Sequence, residues 1–168
     1  MKKLLILMLT VATAASCMKE GKNEFSWSKT IIGAITTKDN RTGQTVYSTE
    51  TAQAVIEVPD GFNNAINFHF DNVRFVDKMP LLNIVIPNLK FDVYNDKDEE
   101  LYPIGAWIIN ATNVIPTFGG VPYETYKMNY VKGVITDETV TLEFTLTYDD
   151  VPYIVRFVKD NPIEEPEE

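Results

Sequence analysis

The chain has 168 residues, 45% of them hydrophobic and 11% aromatic, with 15 basic against 24 acidic side chains and a formal charge of -9. That length and apolar content point to one folded domain and argue against a polar disordered polymer or a multi-domain enzyme. One histidine and one cysteine in an acidic chain argue against a disulfide scaffold, a zinc finger and a nucleic-acid binder.

Met1, Lys2 and Lys3 form a cationic start, and Leu4 to Ala15 is an apolar run closed by small residues. The three parts in that order predict an export signal, since the run falls short of the roughly 20 apolar residues that span a bilayer. Ala14-Ala15-Ser16-Cys17 resembles the lipobox of bacterial lipoproteins, which implies that Cys17 is acylated and becomes the first mature residue. Ala14 stands where that pattern has a branched apolar residue, so ordinary signal-peptide cleavage stays open as the alternative. Cys17 is the sole cysteine, and a lone thiol in an exported protein has no intramolecular disulfide partner, which favours acylation.

The expected segments are 1–16 as signal, 17–24 as lipidated cysteine and polar tether, 25–159 as the folded domain and 160–168 as an acidic tail. Loss of 1–16 removes Lys2, Lys3 and no acid, which takes the charge from -9 to -11. The membrane is therefore expected as a partner through the N-terminal lipid and not through charge, and no nucleic-acid partner is expected. The expected location is the cell envelope, at the outer membrane. Which face of it the domain occupies is left open.

From Phe25 onward the dominant period is two, the mark of strands with one buried face. Strands are expected over Phe25 to Thr36, Val46 to Val58, Ala65 to Phe70, Leu82 to Tyr94, Ile104 to Ala111, Tyr123 to Thr136, Thr139 to Tyr148 and Val151 to Val158. In the seventh, Val140, Leu142, Phe144 and Leu146 share one face and the threonines and Glu143 the other. Asp149-Asp150 predicts a hairpin turn between the last two strands. No stretch sustains a helical period, so the fold class expected is all-β: a small antiparallel barrel of about eight to ten strands, or a β-sandwich.

Asn72, Phe75, Met79, Pro80, Ile84, Ile86 and Pro87 carry a resemblance to the calycin-like (lipocalin-like) β-barrel domains of exported Bacteroidetes lipoproteins. There an asparagine and aromatic strand is followed by Met-Pro and a strand ending in Ile-Pro or Val-Pro. The resemblance implies a small barrel on a lipid anchor over roughly residues 26–158, and no particular chemistry.

Catalytic residues are scarce. Beyond Cys17 the serines are Ser26, Ser28 and Ser48, no Gly-x-Ser-x-Gly elbow occurs, and His69 alternates with Phe68 and Phe70 as a solvated strand residue. No metal site and no cofactor are expected; the acidic 95–100 loop is read as a solvated turn, with calcium left open. Gly119-Gly120 lacks the helix and lysine of a phosphate loop. A carboxylate-pair hydrolase stays a remote alternative, because sequence supplies no distance between two acids. Trp27, Trp107, Phe118, Tyr123, Tyr126 and Tyr130 offer rings for packing or for stacking on a sugar. Tyr126, Met128 and Tyr130 are expected on one face, and the 110–122 loop is expected to fold back as a lid or to expose Ile115 or Phe118.

The function expected is a non-enzymatic envelope lipoprotein that binds a small apolar or carbohydrate-like ligand, with Trp107 and Phe118 as candidate binding residues. The alternative is an accessory protein with a solidly packed barrel that binds another envelope protein.

Overall fold

The computed structural model describes residues 27–59, 64–96 and 101–160. The expected signal, Cys17, the tether, most of the acidic tail and residues 97–100 of the acidic loop lie outside them. The alternating pattern becomes β1 (Trp27–Asp39), β2 (Thr45–Val58), β3 (Ala65–Val73), β4 (Leu82–Val93), β5 (Trp107–Val114), β6 (Thr117–Phe118), β7 (Val121–Pro122), β8 (Met128–Ile135), β9 (Val140–Tyr148) and β10 (Val151–Lys159). Eight of these form a ring in the order β1-β2-β3-β4-β5-β8-β9-β10, closed by antiparallel pairing of β10 with β1. The molecule is a closed barrel and not a sandwich; closure gives each of these eight strands a partner on both sides over part of its length.

Side-chain direction follows from the residue types. On β9, Val140, Leu142, Phe144 and Leu146 are no more than 5% exposed, while Thr141, Glu143, Thr145 and Thr147 face outward. Apolar inside and polar outside is the reverse of a membrane-spanning barrel. Asp149 and Asp150 both have positive φ (50° and 60°) between paired Tyr148 and Val151, the two-residue turn expected from the sequence.

Two register shifts curve the β3–β4 pair. Asn72 and Asn88 sit there with φ of 53° and 52°, a left-handed conformation that asparagine tolerates better than most residues. Each displaced backbone N–H finds a side-chain acceptor: Asn88 donates to Asn67 Oδ1 at 2.9 Å and Asn72 to Asn83 Oδ1 at 2.7 Å.

The β3–β4 connection, residues 74–81, closes one end of the barrel. Phe75, Val76 and Met79 are buried in it, and Tyr148 donates from its hydroxyl to the Lys78 carbonyl at 3.3 Å across that end. The motif from Asn72 to Pro87 thus supplies a bulge, a plug and the buried Ile84 and Ile86 of β4. It marks the barrel's construction.

Phe68 and Phe70 from β3, Phe144 from β9, Phe157 from β10 and Phe75 from the plug pack ring to ring in the middle, all fully buried. Strands β3 and β9 are four steps apart in a ring of eight, so the Phe70–Phe144 contact, with centroids 6.0 Å apart, bridges the barrel across its diameter.

Three expectations shift. The fifth strand starts at Trp107, after a turn with Gly105 at φ 92°. Glu124–Tyr126 is one turn of 3-10 helix, so β8 begins only at Met128. Met128 is fully buried while Tyr130 lies on the outer face, and Tyr126 sits in the 3-10 turn before the strand, so the three do not line one strand face; the β8–β9 ladder starts only at Val131, and the Asn129 N–H bonds Thr145 Oγ1 instead.

Candidate functional site

Trp107 and Phe118 lie at opposite ends of the barrel. Trp107 opens β5 beside the β8–β9 turn, pairs with Ile135 and Val93, and stacks on Phe91 with centroids 4.3 Å apart and planes at 12°. Phe118 belongs to β6 near the plugged end, where it packs against Tyr123 (5.0 Å) and Tyr126 (5.7 Å). The two rings do not line one mouth. The 110–122 loop folds back as an extension of β5 followed by the β6–β7 hairpin, which attaches to β4 through Val85 and Thr117. Gly119 and Gly120, at φ 56° and 81°, make its two-residue turn. A Gly-Gly pair between Phe118 and Val121 was the signal for that hairpin.

His69 does face outward, but it has a partner. Its Nε2 donates to Glu57 Oε2 at 2.9 Å, and Asn67 Nδ2 donates to the same oxygen at 3.1 Å. The Asn67 hydrogen bond and then that of His69, with a lesser contribution from the His69 charge, hold the Glu57 carboxyl below its ordinary 4.5 against the opposing effect of burial. A depressed carboxylate stabilises the fold above its unfolded value and loses that contribution as pH falls through the folded one. Glu57 is 41% exposed, so the effect after solvent screening is about 0.5 kcal/mol. Thermal melts of the wild type are expected to fall more steeply than those of Glu57→Gln below about pH 4.5. Parallel curves would show that the pair contributes nothing.

Among the described residues no three His, Cys, Asp or Glu side chains gather as a metal-binding group.

The outer wall of β5, β8, β9 and β10 carries an open groove of about 500 Å³, flanked by Tyr102. Its floor is a row set by strand register: Asn110 opposite Lys132, Lys132 opposite Glu143, and Glu143 opposite Arg156. Tyr130, beside the row, donates its hydroxyl to Glu143 Oε1 at 3.0 Å. Burial first, and then the Glu143 hydrogen bond, push the Tyr130 phenol up to about 12, so it stays a donor at neutral pH. Lys132 Nζ stands 5.3 Å from the centre of the Tyr130 ring, within cation–π range. Sequence inspection passed over this row because it exists only in one register; a slip of one residue would turn Glu143 inward.

Comparison with protein-family models, curated proteins and solved structures found no match.

Proposed function

We propose that this protein is a lipid-anchored component of the cell envelope, at the outer membrane, that acts by binding on the outside of a solid barrel and not by catalysis. The observation that carries the reading is the Phe70–Phe144 contact across the barrel's diameter. An eight-stranded barrel has room inside for side chains or one small ligand, and here five phenylalanine rings take the central space. Among the described residues Thr37 is the buried polar side chain, its Oγ1 without a hydrogen-bond partner. Ligand pockets usually fix orientation with several convergent polar groups; among the described residues the fully buried interior offers the Thr37 hydroxyl. These features favour recognition by the outer surface, of a carbohydrate-like ligand or a protein, over an apolar ligand held within.

The anchor rests on the cationic start, the apolar run and Ala15-Ser16-Cys17. The resemblance around Asn72 to Pro87 supports a place among the calycin-like lipoproteins of Bacteroidetes. Cys17→Ala is expected to abolish incorporation of a labelled acyl chain and to move the protein from the membrane to the soluble fraction; membrane retention would overturn the anchor. The released Cys17→Ala protein, titrated with a fluorescent fatty acid, is expected to show no saturable binding. One-to-one binding competed by unlabelled fatty acid would overturn recognition by the exterior.

A further inference from the structure

The groove on the outer wall holds two cations without acidic partners in a chain of net charge -9. Among the described residues neither Lys132 nor Arg156 has an ion pair within 4.0 Å, although both stand in register beside Glu143. Glu143 is engaged instead by the Tyr130 hydroxyl. Lys132 and Arg156 lie two strands apart, about 10 Å between backbones, a span that their long side chains close over a small anion. Arg156 brings a planar fork of donors matched to a carboxylate, and Lys132 a point charge. Tyr102, 40% exposed, supplies a ring at the groove's side, and Asn110 a neutral amide on its floor.

We propose that this groove binds an acidic saccharide, a sugar chain carrying a uronic acid, with the carboxylate between Lys132 and Arg156 and a sugar ring against Tyr102. The assignment rests on recognition by the barrel's exterior and names what that exterior takes. An aromatic face beside amide and cationic donors suits a sugar, whose rings are apolar on their faces and polar at their edges. The volume fits a short oligosaccharide. A peptide is served less well: β8, β9 and β10 are each paired on both sides where Lys132, Glu143 and Arg156 stand, so this row offers no free edge for backbone hydrogen bonds to an added strand. A long polyanion is opposed by the net charge of the chain.

The test is calorimetric titration of the full chain, purified in detergent, with trigalacturonate and with the same trisaccharide after reduction of its carboxylates to alcohols. Trigalacturonate is expected to bind and the reduced sugar to bind at least about tenfold more weakly, the loss that a charge-assisted hydrogen bond brings. Lys132→Gln and Arg156→Gln, both at exposed positions, are each expected to weaken trigalacturonate binding by about tenfold with unchanged thermal melts. Glu143→Gln is expected to strengthen it. Equal binding of the charged and reduced sugars, binding insensitive to Lys132 and Arg156, or preference for a tri-glutamate peptide over the sugar would each overturn the proposal. So would an absence of sugar binding, and that result would leave the exterior reading standing, since the fatty-acid titration tests it separately.

Discussion

Phe70→Ala is expected to cost about 3–5 kcal/mol of stability, enough to leave a domain of ordinary stability barely folded. Phe70 is fully buried and touches four other rings: Phe68 at 5.0 Å, Phe75 at 5.4 Å, Phe157 at 5.5 Å and Phe144 at 6.0 Å between centroids. Those partners come from β3, the plug, β10 and β9, so the substitution empties the place where both sides of the barrel meet its closed end. Collapse into the hole is opposed by the closed hydrogen-bonded ring, which holds the strand backbones apart. Urea unfolding measures the effect as a lower midpoint with little change in slope. The same variant bears on function. An apolar hole the size of a ring binds benzene in a well-packed protein, so Phe70→Ala is expected to gain benzene binding that the wild type lacks. A loss below about 1 kcal/mol, outside the range for such truncations, would mean that the wild-type interior already has slack, and the case for a solid barrel would fall with it.

The strands that carry this core were legible because their faces differ chemically. Val140, Leu142, Phe144 and Leu146 alternate with threonines and Glu143, and burial follows that alternation residue by residue. Phe68 and Phe70 likewise turn inward on either side of His69. Three features lay beyond the pattern, each for a physical reason. Strands β6 and β7 have two residues each, too short for any period. The plug, residues 74–81, buries Phe75, Val76 and Met79 without regular spacing, because it crosses the barrel end and does not run along the wall. The Glu57–His69 pair and the row from Asn110 to Arg156 depend on register between strands, which is fixed by the whole ring and by the bulges at Asn72 and Asn88.

The candidate binding residues show the same division. Aromatic type, and for Phe118 its place in the 110–122 loop, nominated Trp107 and Phe118, yet their surroundings are set by which end of the barrel each occupies. The groove's Lys132, Glu143 and Arg156 look like ordinary solvated charges in sequence. They line one groove only because consecutive antiparallel strands place them in one row, with Tyr102 brought beside them from the β4–β5 connection.

Gly33→Ala is expected to destabilise the protein by about 3 kcal/mol, at the upper end of the cost of overpacking a core. The direction is not what backbone entropy suggests, since replacing a strand glycine by alanine ordinarily helps by reducing the freedom of the unfolded chain. Here a Cβ on Gly33 would stand 2.5 Å from the Val158 carbonyl oxygen and 2.6 Å and 2.9 Å from Cζ and Cε2 of Phe157. The carbonyl belongs to the neighbouring strand β10 and cannot swing away. The Phe157 ring is held by Phe68 and Phe70, with centroids at 5.6 Å and 5.5 Å. Gly33 is therefore the space into which Phe157 packs, at the seam where β1 meets β10 and the barrel closes. Shortening the ring separates the two clashes: in a Phe157→Leu background the Gly33→Ala step is expected to cost less, by a coupling of about 1 kcal/mol, while the carbonyl clash persists. Gly133→Ala makes the useful comparison. Its Cβ would meet the Thr141 carbonyl oxygen at 2.7 Å and the Leu142 Cδ1 at 2.9 Å, and a leucine methyl yields more easily than a ring locked among phenylalanines, so its cost should be the smaller. Equal melting temperatures for Gly33→Ala and the wild type would contradict the close approach of β1 and β10, and with it the tight closure on which the proposed recognition by the outer wall rests.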